Sequence, residues 1–270
     1  MPELPEVEIT RRGLAPTLTG KTATHVVVRH AVLRYPIPAN LAELIQGRKL
    51  RDIHRRGKYL LFSFSTGTLL VHLGMSGSLR LLPSDEPAQK HDHVDIVFGK
   101  TVMRLRDPRR FGAVLWESGD INQHKLLATL GVEPLSTAFS GDWLYAATRG
   151  KTTPIKLFVM DGHVVVGVGN IYASESLFRA RIDPRTPAGR LSRVRCTRLV
   201  LAIKETLEAA LAAGGSTLRD FMHSDGSSGW FQQHYSVYGR EGEACRVCGG
   251  KIHALRMGQR SSFFCPSCQR

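Results

Sequence analysis

Apolar positions recur with two different periods along this chain, and the change falls near residue 120. At the start, Leu4, Val7 and Leu14 share one helical face, which predicts a helix over residues 3–13. Pro5 suits its first turn, Glu3 and Glu6 favour its positive end, and Gly13 is the expected stop. Short runs rich in β-branched and aromatic residues follow. His25–Val28 is one. Tyr59–Phe64 and residues 68–73 flank Ser65-Thr66-Gly67, while residues 94–98 and Thr101–Arg106 flank Gly99-Lys100; both sets read as hairpins. Residues 113–116 add a further strand. Turn-punctuated strands of this kind predict a β-sandwich or barrel.

Beyond residue 120 the period lengthens. Residues 122–130 and Gly141–Thr148 read as helices, and 194–213 is the clearest: Leu199, Ile203, Leu207 and Leu211 step by four, Ser192 can cap the start, and Gly214-Gly215 the end. The expectation is therefore an α+β chain in three parts. A β-sandwich domain with a leading helix spans 1–120, a helical domain 121–235, and a terminal module 236–270. No internal repeat or low-complexity segment appears.

The terminal module is defined by chemistry rather than periodicity. Four of the five cysteines form Cys245-x2-Cys248-x16-Cys265-x2-Cys268, the spacing of a four-thiolate zinc ribbon. Residues 251–255 and 261–264 read as two short strands, Met257-Gly258-Gln259 as their turn, with Arg260 near the tip. Two disulfides are the alternative, disfavoured in a reducing compartment. Cys196 is left over and reads as helix filler.

Charge narrows the class of partner. At 270 residues the chain can bury two cores, and no run of 18 apolar residues predicts a membrane span. No charged-then-apolar leader is evident, so the expected location is the cytoplasm. The net charge is +14, with 19 Lys+Arg against 12 Asp+Glu in residues 1–130 and 18 against 11 in 131–270, so each half carries +7. Two basic halves suit a polyanion such as DNA; a generally basic surface is the plainer reading.

Several constellations carry possible chemistry. Removal of Met1, expected before a residue as small at its α-carbon as Pro2, leaves a free secondary amine with a pKa of about 7.7–8.0. Such an amine condenses with a sugar aldehyde to an iminium cation that cannot relax to a neutral imine, and Glu3 is placed to move the protons. Asp107-Pro108-Arg109-Arg110-Phe111-Gly112 sets arginine beside an aromatic wedge, the pair needed to fill a duplex after a base is flipped out; Met75, between Gly74 and Gly77, is another candidate filler. Core packing is the alternative for Met75 and Phe111. Lys58, after Arg55-Arg56-Gly57, fits a phosphate contact or a solvated strand end. His91-Asp92-His93 fits a phosphate contact or a surface loop rather than a metal pair. Gly167-Val168-Gly169-Asn170-Ile171-Tyr172, before a helix expected over 173–179, fits a phosphate-binding turn, with Asn170 donating or capping, or a plain turn. Residues 221–230 read as a small-residue loop, able to close over a flipped base or to act as a simple connection.

Taken together, Pro-Glu-Leu-Pro-Glu-Val-Glu at 2–8, His-Leu-Gly-Met-Ser-Gly-Ser at 72–78, Asp-Pro-Arg-Arg-Phe-Gly at 107–112, Gly-Val-Gly-Asn-Ile-Tyr-Ala-Ser-Glu at 167–175 and the four-cysteine finger resemble the bacterial formamidopyrimidine-DNA glycosylase family across essentially the whole chain. The resemblance implies a helix–two-turn–helix element in the helical domain and one structural zinc on Cys245, Cys248, Cys265 and Cys268. It implies a monomeric base-excision-repair glycosylase and AP lyase acting on oxidised purines, 8-oxoguanine and formamidopyrimidines, in double-stranded DNA, associated with the bacterial nucleoid and with no membrane partner. Pro2 would attack C1′ and Glu3 act as acid/base, with Lys58 and Arg260 also in the catalytic set. Met75, Arg109 and Phe111 would fill the vacated duplex, and His91, Arg109, Lys156, Asn170, Tyr172 and Arg260 would hold DNA. β- and δ-elimination would then cut the strand. The sister endonuclease VIII group, which prefers oxidised pyrimidines, usually continues Gly-Pro-Glu where this chain has Leu4-Pro5-Glu6. A zinc-ribbon DNA-binding protein without catalysis leaves Pro2-Glu3 and the Arg–Phe turn without a role.

Overall fold

Among the residues described by a computed structural model, 2–216 and 230–270, the chain separates into two units. One comprises the described residues of 1–128 and 213–230, the other 129–212 and 231–270.

In the first unit the chain runs through α1 (Leu4–Leu18), β1 (His25–Val28), α2 (Leu41–Ile45), β2 (Asp52–Arg56), β3 (Tyr59–Phe64), β4 (Gly67–His72), β5 (Ser78–Pro83), β6 (Asp92–Phe98), β7 (Thr101–Arg106) and β8 (Ala113–Glu117). The strands make two antiparallel four-stranded sheets, ordered β1-β6-β7-β5 and β2-β3-β4-β8. Strand alternation explains why they stack. Leu79, Val94, Ile96, Met103 and Leu105 point from one sheet, and Ile53, Leu60, Phe62, Leu69, Val71 and Val114 from the other, into one shared core. Each such side chain contributes about 1.5–3 kcal/mol by leaving water. The sandwich expected from the pattern is present, with β2 and β5 in addition to the predicted strands.

The opening helix does not stop at Gly13. Leu14 and Leu18 continue its buried face into the same core, so the helix runs on through Pro16 to Leu18, where the Thr19 N–H closes on the Ala15 carbonyl. Glu8 fixes its angle: its carboxylate accepts from Arg11 and Arg12 of the same helix and from Arg55 of β2, at 2.9–3.2 Å. Burial alone would raise the Glu8 pKa, but the hydrogen bonds from Arg11 and Arg12 and the charges of Arg11 and Arg55 outweigh it and lower the group.

The second unit holds α3 (Gly141–Thr148), α4 (Ile155–Met160), α5 (Asn170–Arg179), α6 (Arg193–Ala212) and a hairpin of β9 (His253–Met257) and β10 (Arg260–Phe264). Ser192 accepts from the Arg195 N–H at the head of α6, whose Leu199, Ile203 and Leu207 are fully buried. Cys196 is buried among them, which raises its thiol pKa. The helix expected over 122–130 is absent. Asp120 caps a single 3-10 turn at Ile121–Gln123, and His124 then turns extended. α5 starts at Asn170, three residues before the expected 173, because Gly169 and not Asn170 is its N-cap. The small-residue loop at 221–230 lies outside the described residues except for exposed Trp230. No helix among the described residues is long and apolar enough to cross a membrane.

Replacing Glu8 by glutamine should cost about 1–2 kcal/mol in urea unfolding at pH 7. Because the folded carboxyl is lowered, its contribution is complete above the unfolded value of about 4.3 and fades as pH falls through the folded one. The native and variant stability curves should therefore converge in acid; a constant gap down to pH 2 would contradict this role.

Candidate functional site

Pro2 is buried at the head of α1, and Glu3, its N-cap, is only 2% exposed. One residue fixes both. The Glu6 carboxylate, itself fully buried, accepts the Glu3 N–H at 2.8 Å on one oxygen and the Ser216 N–H at 2.9 Å on the other. Position 6 is the third residue of the helix, where a glutamate can reach back to the N-cap amide. The partner at Ser216 lies 210 residues away, at the edge of the described chain after α6. Close packing there is tight: a β-carbon at Gly215 would come within 3.2 Å of Glu6 Oε1.

Met75, Arg109 and Phe111 are displayed by two turns that interlock through the backbone. Gly74 has φ +61°, and a β-carbon there would lie 2.4 Å from the Phe111 carbonyl carbon; one at Gly112 would lie 2.8 Å from the His72 oxygen. Only glycine fits at either place. Asp107 clamps the pair. Its buried carboxylate accepts Ser76 Oγ–H at 2.7 Å and the Gly112 N–H at 2.8 Å, and Ser76 Oγ accepts the Arg109 N–H. The result is an exposed Phe111 (45%) with the Arg109 guanidinium 4.9 Å above its ring, beside a half-buried Met75. Exposure excludes a core-packing role for Phe111.

The histidines around these turns divide by burial. His91 stands partly exposed at φ +75°, and its carbonyl accepts the Asp107 N–H. Asp92 and His93 are not part of a surface loop as the sequence suggested: both are buried in β6, with Asp92 against Arg104 and Arg106 and His93 Nε2 bonded to the Asp107 carbonyl. His72 ends β4 with Nδ1 accepting the Gly74 N–H at 3.0 Å. Its pKa is pushed down to about 4, first by burial and then by the charges of Lys58 and Arg34. It is therefore neutral at pH 7, as that hydrogen bond requires. Lys58 itself lies in the turn between β2 and β3.

In the second unit, Gly167 at φ +83° and Gly169 lead into α5. Asn170 does not cap that helix. Its Nδ2 donates to the Ser261 carbonyl on β10, while its Oδ1 accepts from Lys156 Nζ at 2.7 Å. Lys156 also donates to Ser262 Oγ at 2.7 Å and to the Ser261 carbonyl. Two side chains expected from sequence to contact DNA are enclosed within this unit. Lys156 is 1% exposed, its ammonium turned inward to tie α4, α5 and β10 together; the Tyr172 ring is fully buried, 5.7 Å from that of Phe231. Neither side chain is presented to a surface. Arg260 is exposed at the hairpin tip, opposite Met257. Glu175, another buried carboxylate, accepts three successive backbone N–H groups at Ser236, Val237 and Tyr238 and so anchors the approach to the finger.

The four cysteine sulfurs lie within 4.8 Å of one another, with Cys248–Cys265 at 3.5 Å and Cys245–Cys268 at 3.9 Å. Zinc–sulfur bonds of 2.3 Å in a tetrahedron place sulfurs about 3.8 Å apart, so these residues fit one zinc; a disulfide needs about 2.05 Å. Gln269 docks this knuckle on the helices by accepting the Cys265 N–H and donating to the Ile182 carbonyl.

Sequence reasoning assigned no role to Asp107, His72 or Glu175, and to Glu6 only a favourable charge at the helix start. Each stood inside a quoted motif, but apart from the Ser76 hydroxyl on Asp107 the partners are backbone groups that no side-chain pattern records.

Residues 1–114 match the formamidopyrimidine-DNA glycosylase N-terminal domain, residues 130–222 the formamidopyrimidine-DNA glycosylase H2TH domain, and residues 242–270 the zinc finger found in FPG and IleRS. A formamidopyrimidine-DNA glycosylase of Aromatoleum aromaticum is 60% identical over all of both chains. Among solved structures, the Lactococcus lactis FPG mutant G226P bound to Fapy-dG DNA superposes with a TM-score of 0.93 at 33% identity, covering all of both chains. A MutM complex with carbocyclic 8-oxo-G DNA gives 0.92 at 33% identity, again with full coverage of both.

Replacing Asp107 by alanine leaves the Ser76 hydroxyl and the Gly112 N–H without their buried acceptor. Urea denaturation should show a loss of about 2–4 kcal/mol. An unchanged midpoint would mean the two turns hold together without the carboxylate.

Proposed function

We infer the chemistry from one premise: the chain belongs to the formamidopyrimidine-DNA glycosylase family. On that basis it is a base-excision-repair glycosylase that removes oxidised purines, 8-oxoguanine and formamidopyrimidines, from double-stranded DNA and then cleaves the strand. The single observation that carries the reading to this chain's own residues is the buried Glu6 bridge that holds Pro2-Glu3 at the head of α1.

With Met1 removed, the Pro2 nitrogen attacks C1′ of the flipped nucleotide, the N-glycosidic bond breaks, and the base leaves with a proton. Glu3 supplies and recovers protons as the sugar ring opens to the iminium. Because a secondary amine gives only a cationic iminium, C2′–H is acidified and the C3′–O bond breaks by β-elimination. A second elimination breaks the C5′–O bond, cutting the strand on both sides of the lost sugar. Lys58 contacts the damaged nucleotide or its phosphate. Its neighbour His72 stays neutral, so it adds no competing charge.

The exposed Arg109–Phe111 stack and Met75 fill the space the flipped nucleotide leaves, the arginine meeting the orphaned base and the ring maintaining the stack. Asn170, Arg260 and His91 hold the DNA backbone. Lys156 acts behind this surface, fixing the Asn170 amide and the hairpin that carries Arg260, and Tyr172 acts only by packing. Zinc, when bound, supplies no chemistry at the sugar: it pins the two knuckles and so the hairpin between them.

Borohydride trapping tests the reading. On a duplex with one 8-oxoguanine opposite cytosine, the native chain should give a covalent protein–DNA adduct, and Pro2→Gly should lose most or all of it. An adduct only on an oxidised-pyrimidine duplex would shift the substrate to the endonuclease VIII type. No adduct on either, with DNA binding intact, would refute the catalytic reading.

A further inference from the structure

On the outer face of the first sheet, away from the core, three arginines line one cavity of about 90 Å³. Met103 and Leu105 face the core, so strand alternation turns Arg104 and Arg106 outward on β7; Arg80 faces the same way on β5, directly across from Arg104 in the register. The loop between β5 and β6 passes over the cavity, held down by Arg104, which donates to the Glu86 and Pro87 carbonyls at 2.9 and 3.0 Å.

The charges here do not balance. Asp95 is shared between Arg104, at 2.8 and 2.9 Å, and Arg29, at 2.6 Å. Asp92 lies 3.7 Å from Arg104 and 3.5 Å from Arg106, both long for an ion pair, and the Gln89 amide oxygen is 3.3 Å from Arg106. Two buried carboxylates thus face four arginines, and Glu86 is exposed at the rim. Arg80 is partly buried. Its Nε is buried and, among the described residues, has no hydrogen-bond partner. A guanidinium placed across the sheet from another, with a buried N–H unmet, loses hydration without return unless an anion joins it.

We propose that this cavity is a binding site for a phosphate group, held by Arg80 and Arg106 with Arg104 as the buried floor. A tetrahedral oxyanion matches the planar forks of guanidinium groups and restores both the missing hydrogen bond and the charge balance. The group can come from a DNA backbone or from a free phosphate or nucleotide; the chemistry is the same, and the test separates them.

The test uses the full-length zinc-bound chain, with Arg80→Met and Arg106→Met to remove charge at nearly constant length. Calorimetric titration of inorganic phosphate, at ionic strength fixed with chloride, should give a saturable component for the native chain that weakens roughly tenfold or more in either variant. The same component should persist in Arg109→Ala, which alters a different basic surface. In chloride alone, Arg80→Met should melt at or above the native temperature, since removal of an unmet cation is no loss; a purely structural arginine would give the opposite. Failure of the native chain to show a saturable component, or its survival in both Arg80→Met and Arg106→Met, overturns the proposal. The salt dependence of undamaged-duplex binding then names the source. A slope shallower by about 0.9 in Arg80→Met means a DNA phosphate occupies the cavity, and an unchanged slope beside a lost phosphate isotherm means a free one.

Discussion

The Glu6 carboxylate is the constraint on which the candidate chemistry rests. A chain terminus is ordinarily the least ordered part of a domain, and a terminal nucleophile therefore needs something to hold it. Here a fully buried carboxylate receives the backbone N–H next to Pro2 and a second N–H from beyond α6, so the start of the chain is tied to the segment that leaves its longest helix. Hydrogen bonds to an ionised carboxylate are stronger than neutral ones and lose more when broken. The arrangement keeps Pro2 at a fixed place at the head of α1, and Glu8, two residues beyond Glu6 and accepting four hydrogen bonds, fixes α1 to β2 through Arg55.

The same device recurs where the chain has to display a side chain. Asp107 uses its two oxygens to lock the turns that present Arg109, Phe111 and Met75, and Glu175 gathers three amides ahead of the zinc hairpin. Lys156 does the converse with a cation, meeting Asn170, Ser261 and Ser262 from inside. In each case the group that would touch DNA is exposed or at a surface, and a buried charge behind it sets its position. This division gives a basic protein rigid contacts without a rigid surface.

Legibility in the sequence followed the physical origin of each feature. The cysteine knuckles were readable because metal geometry fixes their spacing, and α6 because its apolar stripe is long. β3, β7 and α3 were readable from composition and turns. β2, Asp-Ile-His-Arg-Arg, was not, since only Ile53 of its five residues is buried. Gly13 was read as a stop, but helix ends are decided by the core that Leu14 and Leu18 meet, not by one exposed glycine. Lys156 and Tyr172 look like surface residues in a line of sequence; only the fold shows that both are buried. Glu6 and Asp107 were inside recognised motifs, yet their partners are backbone amides and, for Asp107, the Ser76 hydroxyl, up to 210 residues away. The family resemblance supplied the chemistry, while the buried carboxylates that support it emerged from the fold.

The central claim is that the nucleophile is the Pro2 nitrogen and not one of the many lysines of a basic chain. Tandem mass spectrometry of a reduced protein–DNA adduct after proteolysis locates the bond directly. The account predicts that the sugar remnant lies on an N-terminal peptide beginning at Pro2, on its imino nitrogen, with Met1 absent. A remnant on Lys58 or any other lysine, or a peptide that retains Met1, would contradict it.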